Sequence, residues 1–287
     1  MTVVTGLGII GINNAVAQVA SQPRVSGESE LIIRGDLDND WQVDVMDVVQ
    51  IIDFLFASGP TPQPQYRADA NCDGHYNLVD AVSVVRQAFS GADPCSWEFS
   101  DDFGDGSLDP RIWAAPYGNV TEAGGVCYLR QRGYLNFIRP YDPSKYNVKV
   151  QIDVMFQSEA DFMDIVTRSD GVSNPNFYGE VMNGLKLGIK ASDVSVPNNG
   201  VAIDQFVNGN IQKVPNQVVY LDLPNMLPVY NFVALDSENV YTIVVNGSQV
   251  CTASGALPVM GNRFSFYNRE YGYELSIDNL RITAKHR

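Results

Sequence analysis

The feature that most constrains the fold is a pattern of oxygen-bearing side chains that occurs twice, 33 residues apart. The copies span residues 36–47 and 69–80, and each places carboxylates or amides at positions 1, 3, 5, 9 and 12. Ca²⁺ prefers oxygen ligands, and position 7 of such a loop contributes a backbone carbonyl. The predicted calcium ligands are Asp36, Asp38, Asp40, Gln42, Asp44 and Asp47 in the first loop, and Asp69, Asn71, Asp73, His75, Asn77 and Asp80 in the second.

An apolar run follows each loop, at residues 48–56 and 81–89, and each run ends near a glycine, Gly59 or Gly91. This order predicts a loop and one helix, given twice. The pattern resembles a dockerin, the calcium-dependent module that docks into a cohesin, over about residues 34–95. The resemblance implies two bound Ca²⁺ ions and a docking surface at loop positions 10 and 11, which are Val45, Met46, Leu78 and Val79.

Two departures from the dockerin pattern matter. Trp41 replaces the glycine expected at position 6 of the first loop, whereas the second loop keeps Gly74. A bulky residue with positive φ costs about 1–2 kcal/mol, so we expect the first site to bind calcium more weakly. Positions 10 and 11 are apolar where dockerins usually carry Ser-Thr or similar. The helices therefore either meet a more apolar cohesin or pack against their own chain, with calcium acting as a structural clip.

Charge is concentrated in this region. The chain has a net charge of −14, and residues 28–95 contain 12 acids and 3 bases. Bound calcium accounts for this acidity without a basic partner. The sequence has no basic patch, so we expect no nucleic-acid binding.

The four cysteines allow three pairings. Cys72 lies within the second loop and Cys95 just after the helix that follows it, so a Cys72–Cys95 disulfide would tie the two together. Cys127 and Cys251 could pair across a sheet. Calcium and disulfides both indicate an extracellular or cell-surface location.

The N-terminal residues 1–20 contain an apolar run followed by Ala15-Val16-Ala17, which resembles the end of a secretory signal peptide without its basic region. A retained apolar segment used in assembly is the alternative. The run is too short and too polar beyond Asn13 to span a bilayer. We expect residues 1–27 to be a signal remnant and linker, residues 28–95 the calcium module, and residues 96–287 a second domain.

From Ser96 onward, short alternating runs separated by Gly, Asn and Pro predict an all-β sandwich. Asn246-Gly247 predicts a hairpin turn. The strings at residues 101–113 and 277–282 are similar to those of the concanavalin A-like lectin and glucanase superfamily, the laminin-G-like jelly rolls. The resemblance implies that the first and last strands pair. It makes Asp101 and Asp278 weak candidates for a further calcium site, although both suit ordinary turn carboxylates.

Catalysis is not favoured by the sequence. Laminarinase-type relatives carry three alternating acids on one strand, and retaining hydrolysis needs two carboxyl groups about 5–5.5 Å apart. The nearest string contains Glu159, Asp161 and Asp164, ends in Asp rather than Glu, and falls where we expect a solvated turn. The two histidines, His75 and His286, give no plausible Ser-His-Asp set.

Sugar binding requires aromatic platforms with polar neighbours rather than catalytic acids. The candidates, expected in loops, are Tyr117, Tyr178, Tyr267, Arg269 and Tyr271. The sequence therefore predicts a secreted protein of an extracellular assembly, with a small α-helical dockerin-like module and an all-β jelly-roll sandwich that binds polysaccharide or acts in adhesion. The alternatives are a structural subunit of a surface layer or filament that self-assembles through its calcium loops, and a divergent glycoside hydrolase.

Overall fold

The computed structural model describes residues 29–156, 162–172, 184–190, 200–208, 210–214, 218–219, 229–237, 239–255, 261–268, 272 and 274–287. The predicted signal remnant lies outside these residues. The helices are α1 (Val45–Phe56) and α2 (Leu78–Ser90), with a short 3-10 helix (Gln65–Ala68) between them. No helix in the described part of the chain is long and apolar enough to cross a membrane.

The described strands are β1 (Glu30–Ile33), β2 (Ser96–Asp101), β3 (Trp113–Ala123), β4 (Val126–Phe137), β5 (Tyr146–Phe156), β6 (Phe162–Ser169), β7 (Gly184–Lys190), β8 (Gly200–Val207), β9 (Asn210–Lys213), β10 (Val218–Val219), β11 (Tyr230–Asp236), β12 (Val240–Val245), β13 (Ser248–Ser254), β14 (Arg263–Asn268) and β15 (Glu274–His286). All the pairings among them are antiparallel. The predicted two-helix module and all-β sandwich are therefore confirmed.

Two ladders of strands share β15. One ladder runs β10-β13-β12-β11-β5-β15, and the other runs β15-β4-β14-β6-β7-β8-β9. Strand β15 pairs with β4 through residues 274–277 and with β2 through residues 280–285, and its register against β5 shifts between Asp278 and Arg281. The predicted pairing of first and last sandwich strands is thus confirmed.

The two ladders pack face to face. Strands β8 and β13, which belong to opposite ladders, lie next to each other. A buried ion pair also joins the ladders, because Arg168 on β6 donates from Nη2 to Asp236 Oδ1 on β11 at 2.5 Å. One large apolar core collects side chains from both ladders, including Phe137, Ile152, Phe232 and Ile282.

The calcium module is attached to the sandwich on both sides. Strand β1 precedes the first loop and pairs with β2, in the register Leu31 to Phe99. At the other end, a disulfide joins Cys72 of the second loop to Cys95, which lies just before β2. The module therefore does not hang from a loose linker, although its two helices remain outside the sandwich core and form a small core of their own around Ile51 and Val84.

The second predicted disulfide is wrong. Cys127 and Cys251 are buried thiols that are not bonded to each other. Cys127 lies on β4, whose neighbours are β3, β14 and β15, while Cys251 lies on β13 between β12 and β10. The two residues are therefore not on adjacent strands, and both serve as core side chains.

Candidate functional site: two calcium loops and two apolar stripes

The two loops share several internal hydrogen bonds, among them the bond from the backbone N–H of position 6 to Oδ2 of position 1, whereas Oδ1 of position 1 accepts from position 4 in the first loop and from position 5 in the second. In the first loop, Asp36 Oδ1 accepts from Asn39 N at 2.8 Å and Asp36 Oδ2 accepts from Trp41 N at 3.3 Å. In the second loop, Asp69 Oδ1 accepts from Asp73 N at 3.0 Å and Asp69 Oδ2 from Gly74 N at 3.2 Å. The first carboxylate of each loop is therefore held by the backbone that curls around it.

The last carboxylate of each loop joins the loop to its helix. Asp47 accepts from Leu37 N at 2.6 Å through Oδ1 and from Asp44 N at 2.8 Å through Oδ2. Asp47 Oδ1 also accepts from Asp38 N at 3.3 Å. Asp80 accepts from the equivalent positions, from Asn71 N through Oδ1 and from Asn77 N through Oδ2. Asp44 and Asn77 are N-cap residues in capping boxes, so each helix begins at a loop residue. A cation bound in the loop would thus also fix the start of the helix.

The side chains present fit a hard cation. Carboxylate oxygens of Asp36, Asp38 and Asp40 lie within 4.8 Å of one another in the first loop. Burial raises the pKa of Asp36 to about 6, with Arg67 acting to lower it and Asp47 to raise it. Burial likewise raises the pKa of Asp47. A bound cation would offset the repulsion and desolvation that cause these shifts.

The sixth residue of each loop takes the predicted left-handed conformation. Its φ is 72° at Trp41 and 81° at Gly74. The indole of Trp41 lies against the sandwich core, and the Arg111 guanidinium stands 4.2 Å from the centre of its ring. Arg139 Nη2 donates to the Trp41 carbonyl at 3.0 Å. The strained residue is thus also a contact between the first loop and the sandwich.

Each helix exposes a stripe of apolar side chains. The first stripe is Val45, Val49, Ile52 and Phe56, the second is Leu78, Val82, Val85 and Phe89, and Met46 and Val79 stand beside the two starts. All ten side chains are between 38% and 67% exposed. Each member of one stripe lies 33 residues from its counterpart in the other. The helices thus do not use these faces against their own sandwich, and the predicted partner-binding residues Val45, Met46, Leu78 and Val79 lie at the helix starts.

The acids proposed for a sandwich calcium site are otherwise engaged. Asp101 is buried at the end of β2, where it accepts from Phe103 N at 2.8 Å and from Trp113 Nε1 at 2.7 Å. Asp278 lies opposite Asp153 on β5, and burial raises its pKa, with Asp153 adding to the rise. Among the described residues, the group of three acids that could hold a metal ion includes neither Asp101 nor Asp278, so the calcium site in the sandwich stays a prediction.

The catalytic string is only partly within the described residues. Asp164 is fully buried on β6, opposite Tyr267 of β14, so the expected solvated turn is wrong at this residue. Glu159 and Asp161 lie outside the described residues. Asp164 shares a sheet face with Tyr134 and Val166, away from the main core, because alternate residues of a strand face the same side.

Two of the candidates for sugar binding, Tyr117 and Tyr267, lie on strands rather than loops. Tyr117 is partly buried on β3, and Tyr267 is almost fully buried on β14 against Tyr134. Tyr267 therefore offers no exposed platform. Tyr178, Arg269 and Tyr271 lie outside the described residues. A partly exposed cluster that the sequence did not suggest contains Tyr128, Arg130 and Glu274: the Arg130 guanidinium stacks 4.3 Å from the Tyr128 ring and pairs with Glu274.

Comparisons with known proteins agree with this picture. Residues 34–87 match the family model described as the dockerin type I domain, which confirms the resemblance of the module. Dockerin type I domains bind Ca²⁺, dock onto cohesins and typically occur in extracellular cellulosome components. No curated protein sequence is significantly similar to the chain.

Three solved structures illustrate the proteins that resemble the sandwich. The carbohydrate binding module CBM66 from Bacillus subtilis is 11% identical, with a TM-score of 0.42 over 59% of this chain and 94% of that one. Peanut lectin is 12% identical, with a TM-score of 0.48 over 67% and 98%. The catalytic domain of an endo-1,3-beta-glucanase from Thermotoga petrophila is 13% identical, with a TM-score of 0.43 over 65% and 96%. At these identities the likeness concerns the fold alone.

Proposed function

We propose that the chain is a secreted, non-catalytic component of an extracellular assembly, and that its calcium-loaded module docks onto a cohesin-like partner. The observation that carries this proposal is the pair of exposed apolar stripes beside the two calcium loops. Monomeric proteins rarely expose extended apolar surface without a use for it. The match of residues 34–87 to the dockerin type I domain supports a cohesin as the partner, because dockerin domains bind cohesins.

Calcium acts in this proposal by fixing the helices that carry the stripes. Asp47 and Asp80 each complete the capping box of a helix and close a loop at the same time. An ion held by the loop ligands would keep both helix starts in place, including Val45, Met46, Leu78 and Val79. Docking is therefore expected to require calcium.

A binding experiment tests the docking surface. The protein is passed over a panel of immobilised cohesin domains in the presence of calcium or EDTA, and binding is followed by biolayer interferometry. A variant with Val49→Asp, Phe56→Asp, Val82→Asp and Phe89→Asp alters both stripes. Val240→Asp, at an exposed valine on the sandwich, is the matched control.

We expect calcium-dependent capture by a cohesin that the four-residue variant loses and the control retains. Because buried apolar side chains contribute about 1.5–3 kcal/mol each, the loss should exceed tenfold in affinity. Capture by the variant at wild-type affinity would place docking elsewhere on the module. Absence of capture by every cohesin would contradict the proposed partner.

We assign the sandwich a carbohydrate-binding role. Tyr128, Arg130 and Glu274 support it, because they present an aromatic ring, hydrogen-bond donors and a carboxylate on one partly exposed surface; Arg130 Nη1 also donates to Thr121 Oγ1 at 2.9 Å. A glycan array compares the wild type with Tyr128→Ala and with Tyr117→Ala. Loss of glycan signal in Tyr128→Ala supports the assignment, and unaltered binding in that variant contradicts it.

The alternative functions have less structural support. The apolar faces of the two helices are exposed rather than buried on their own sandwich, so the described residues give no support to calcium helices that act as a structural clip. A buried Asp164 also does not favour hydrolysis, because a nucleophile or general acid must reach the substrate.

A further inference from the structure

Two arginines cross between the repeats. Arg34 stands two residues before the first loop and Arg67 two residues before the second, so they occupy the same position in the 33-residue repeat. Each arginine nevertheless contacts the first aspartate of the other repeat's loop: Arg67 pairs with Asp36, and Arg34 pairs with Asp69.

The Arg67 contact is buried and has several hydrogen bonds. Nη1 donates to Asp36 Oδ2 at 2.9 Å and to the Asp36 carbonyl at 3.1 Å, and Nη2 donates to Asn39 Oδ1 at 2.5 Å and to the Leu31 carbonyl at 3.2 Å. Both partners of the ion pair are at most 1% exposed. A planar guanidinium with several fixed donors suits this arrangement better than a lysine ammonium would.

The Arg34 contact is the looser counterpart. Nη1 lies 3.4 Å from Asp69 Oδ2 and also donates to the Tyr66 carbonyl, while the guanidinium stacks 4.7 Å from the Tyr66 ring. The Arg34 side chain is 22% exposed. The Arg34–Asp69 ion pair is thus longer and more exposed to water than the Arg67–Asp36 pair, and we expect it to be weaker.

Each arginine pairs with Oδ2 of the aspartate that it contacts. In each loop, Oδ2 also accepts the backbone N–H of the sixth residue, whereas Oδ1 accepts only one backbone N–H. A carboxylate oxygen with one donor keeps a lone pair for a cation. The arginine therefore restrains the rotation of the carboxylate, and Oδ1 is the oxygen that a cation would use.

We propose that Arg67 and Arg34 are crossed positioning residues for calcium, each orienting the first carboxylate of the other repeat's loop. The calcium affinity of the first loop then depends on an arginine that belongs to the second repeat, and the reverse holds for the second loop. The inference rests on the proposed calcium binding. Partners of metal ligands typically change metal affinity by about 10–100-fold when they are replaced.

The test measures each loop separately by calorimetric calcium titration of the full chain. Asp73→Ala removes a ligand of the second loop, so the calcium affinity measured in this background is that of the first loop. Asp40→Ala removes a ligand of the first loop, so the affinity measured is that of the second. Both side chains are exposed, so the fold should persist. Arg67→Gln and Arg34→Gln are placed in each background. Arg86→Gln, at an exposed arginine of α2, is the matched control.

We expect Arg67→Gln to weaken calcium binding about tenfold in the first loop and not in the second. Arg34→Gln should show the opposite pattern with a smaller loss, and Arg86→Gln should change neither loop. Arg67→Lys keeps the charge with fewer donors and should give an intermediate loss. Its circular dichroism and that of Arg67→Gln establish whether the fold is kept. If Arg67→Gln unfolds, Arg67→Lys and Arg34→Gln still test the crossing.

If the substitutions act generally on folding, calcium affinity should fall equally in both loops. If they act locally, affinity should fall in the loop that directly follows the substituted arginine. Either pattern, or no change in any variant, would overturn the crossed assignment. Failure of the wild type to bind calcium would instead contradict the proposed function itself, so the two failures are distinguishable.

Discussion

At the scale of single residues, Trp41 shows how a local cost is offset by a distant contact. Its φ of 72° is unfavourable for a residue with a side chain, by about 1–2 kcal/mol. The same residue receives a hydrogen bond from Arg139, stacks with Arg111 and packs on the sandwich core. The sequence predicted the strain, but the compensating arginines lie far along the chain and could not be inferred from spacing.

Replacing Trp41 tests this balance. Trp41→Gly relieves the strain but removes the cation–π contact, worth about 0.5–1 kcal/mol, together with apolar burial. We expect a net loss of about 1 kcal/mol in the free energy of unfolding, measured by chemical denaturation. Gly74→Ala is the counterpart in the second loop, where an added Cβ meets no atom within 4 Å; it should lose stability through strain alone. A stabilised Trp41→Gly protein would contradict the account.

Glu122 provides a pH-dependent residue outside the calcium loops. Burial, followed by its hydrogen bond with Asp105 and the neighbouring charges, raises the pKa of Glu122 to about 7, whereas Gly106 N donates to it and acts in the opposite direction. An acid with a raised folded pKa is protonated preferentially in the folded state. Its contribution to stability therefore falls as pH rises from about 4.5, the unfolded pKa, to above 7.

Glu122→Gln should remove this dependence while keeping an oxygen acceptor and adding a donor. We expect the variant to be more stable than the wild type at pH 8 by about 1 kcal/mol, a figure reduced for the partial exposure of the side chain. The two proteins should be equally stable near pH 4. Denaturation curves of both proteins at pH 4 and pH 8 check this expectation. The same difference in stability between the two proteins at both pH values would contradict it.

At the scale of elements, the repeat explains why the calcium module was predictable and parts of the sandwich were not. The register of the predicted ligands fixes both loops and both helix starts, since Asp44 and Asn77 are predicted loop ligands and also the N-caps of the helices. Strands β3 and β4 lack a clear alternation, because β3 is mostly exposed and β4 contains Gln131 and Arg132 with positive φ. The crossed arginines were missed because nothing in a sequence states which of two equivalent loops a side chain reaches.

The Cys72–Cys95 disulfide joins the second loop to the residue just before β2. It closes a segment with a sequence separation of 23 residues, and closure of such a loop stabilises the folded state by about 3 kcal/mol. Cys72→Ser combined with Cys95→Ser should lower the free energy of unfolding by about this amount in thermal or chemical denaturation. Reducing agent should destabilise the wild type and leave the variant unaffected; equal stability of the two proteins would contradict this role of the disulfide.

At the scale of the whole molecule, the module and the sandwich form one connected structure. Strand β1, the Arg139–Trp41 hydrogen bond and the disulfide all cross the boundary between them. A docking module of this kind would hold the sandwich in a defined orientation on its partner. The sequence suggested two domains, but it did not indicate that the segment before the first loop returns to the sandwich as a strand.

Calcium should therefore stabilise the sandwich as well as the module. Calcium at 100 times the dissociation constant of a site adds about 2.7 kcal/mol to the free energy of unfolding. The contacts between the module and the sandwich should extend this stabilisation to the sandwich. We expect differential scanning calorimetry to show one transition that shifts upward with calcium. In Asp40→Ala combined with Asp73→Ala the shift should vanish. A second transition that is insensitive to calcium would show that the sandwich unfolds independently.

The number of calcium ions bound per chain tests the central claim most directly. Isothermal titration of the metal-free protein should give two ions for the wild type. The matched variants Asp40→Ala and Asp73→Ala, altered at position 5 of the first and second loop, should each retain one bound ion. A protein that binds no calcium, or that binds two ions unchanged in both variants, would contradict the assignment of these loops as the calcium sites on which docking depends.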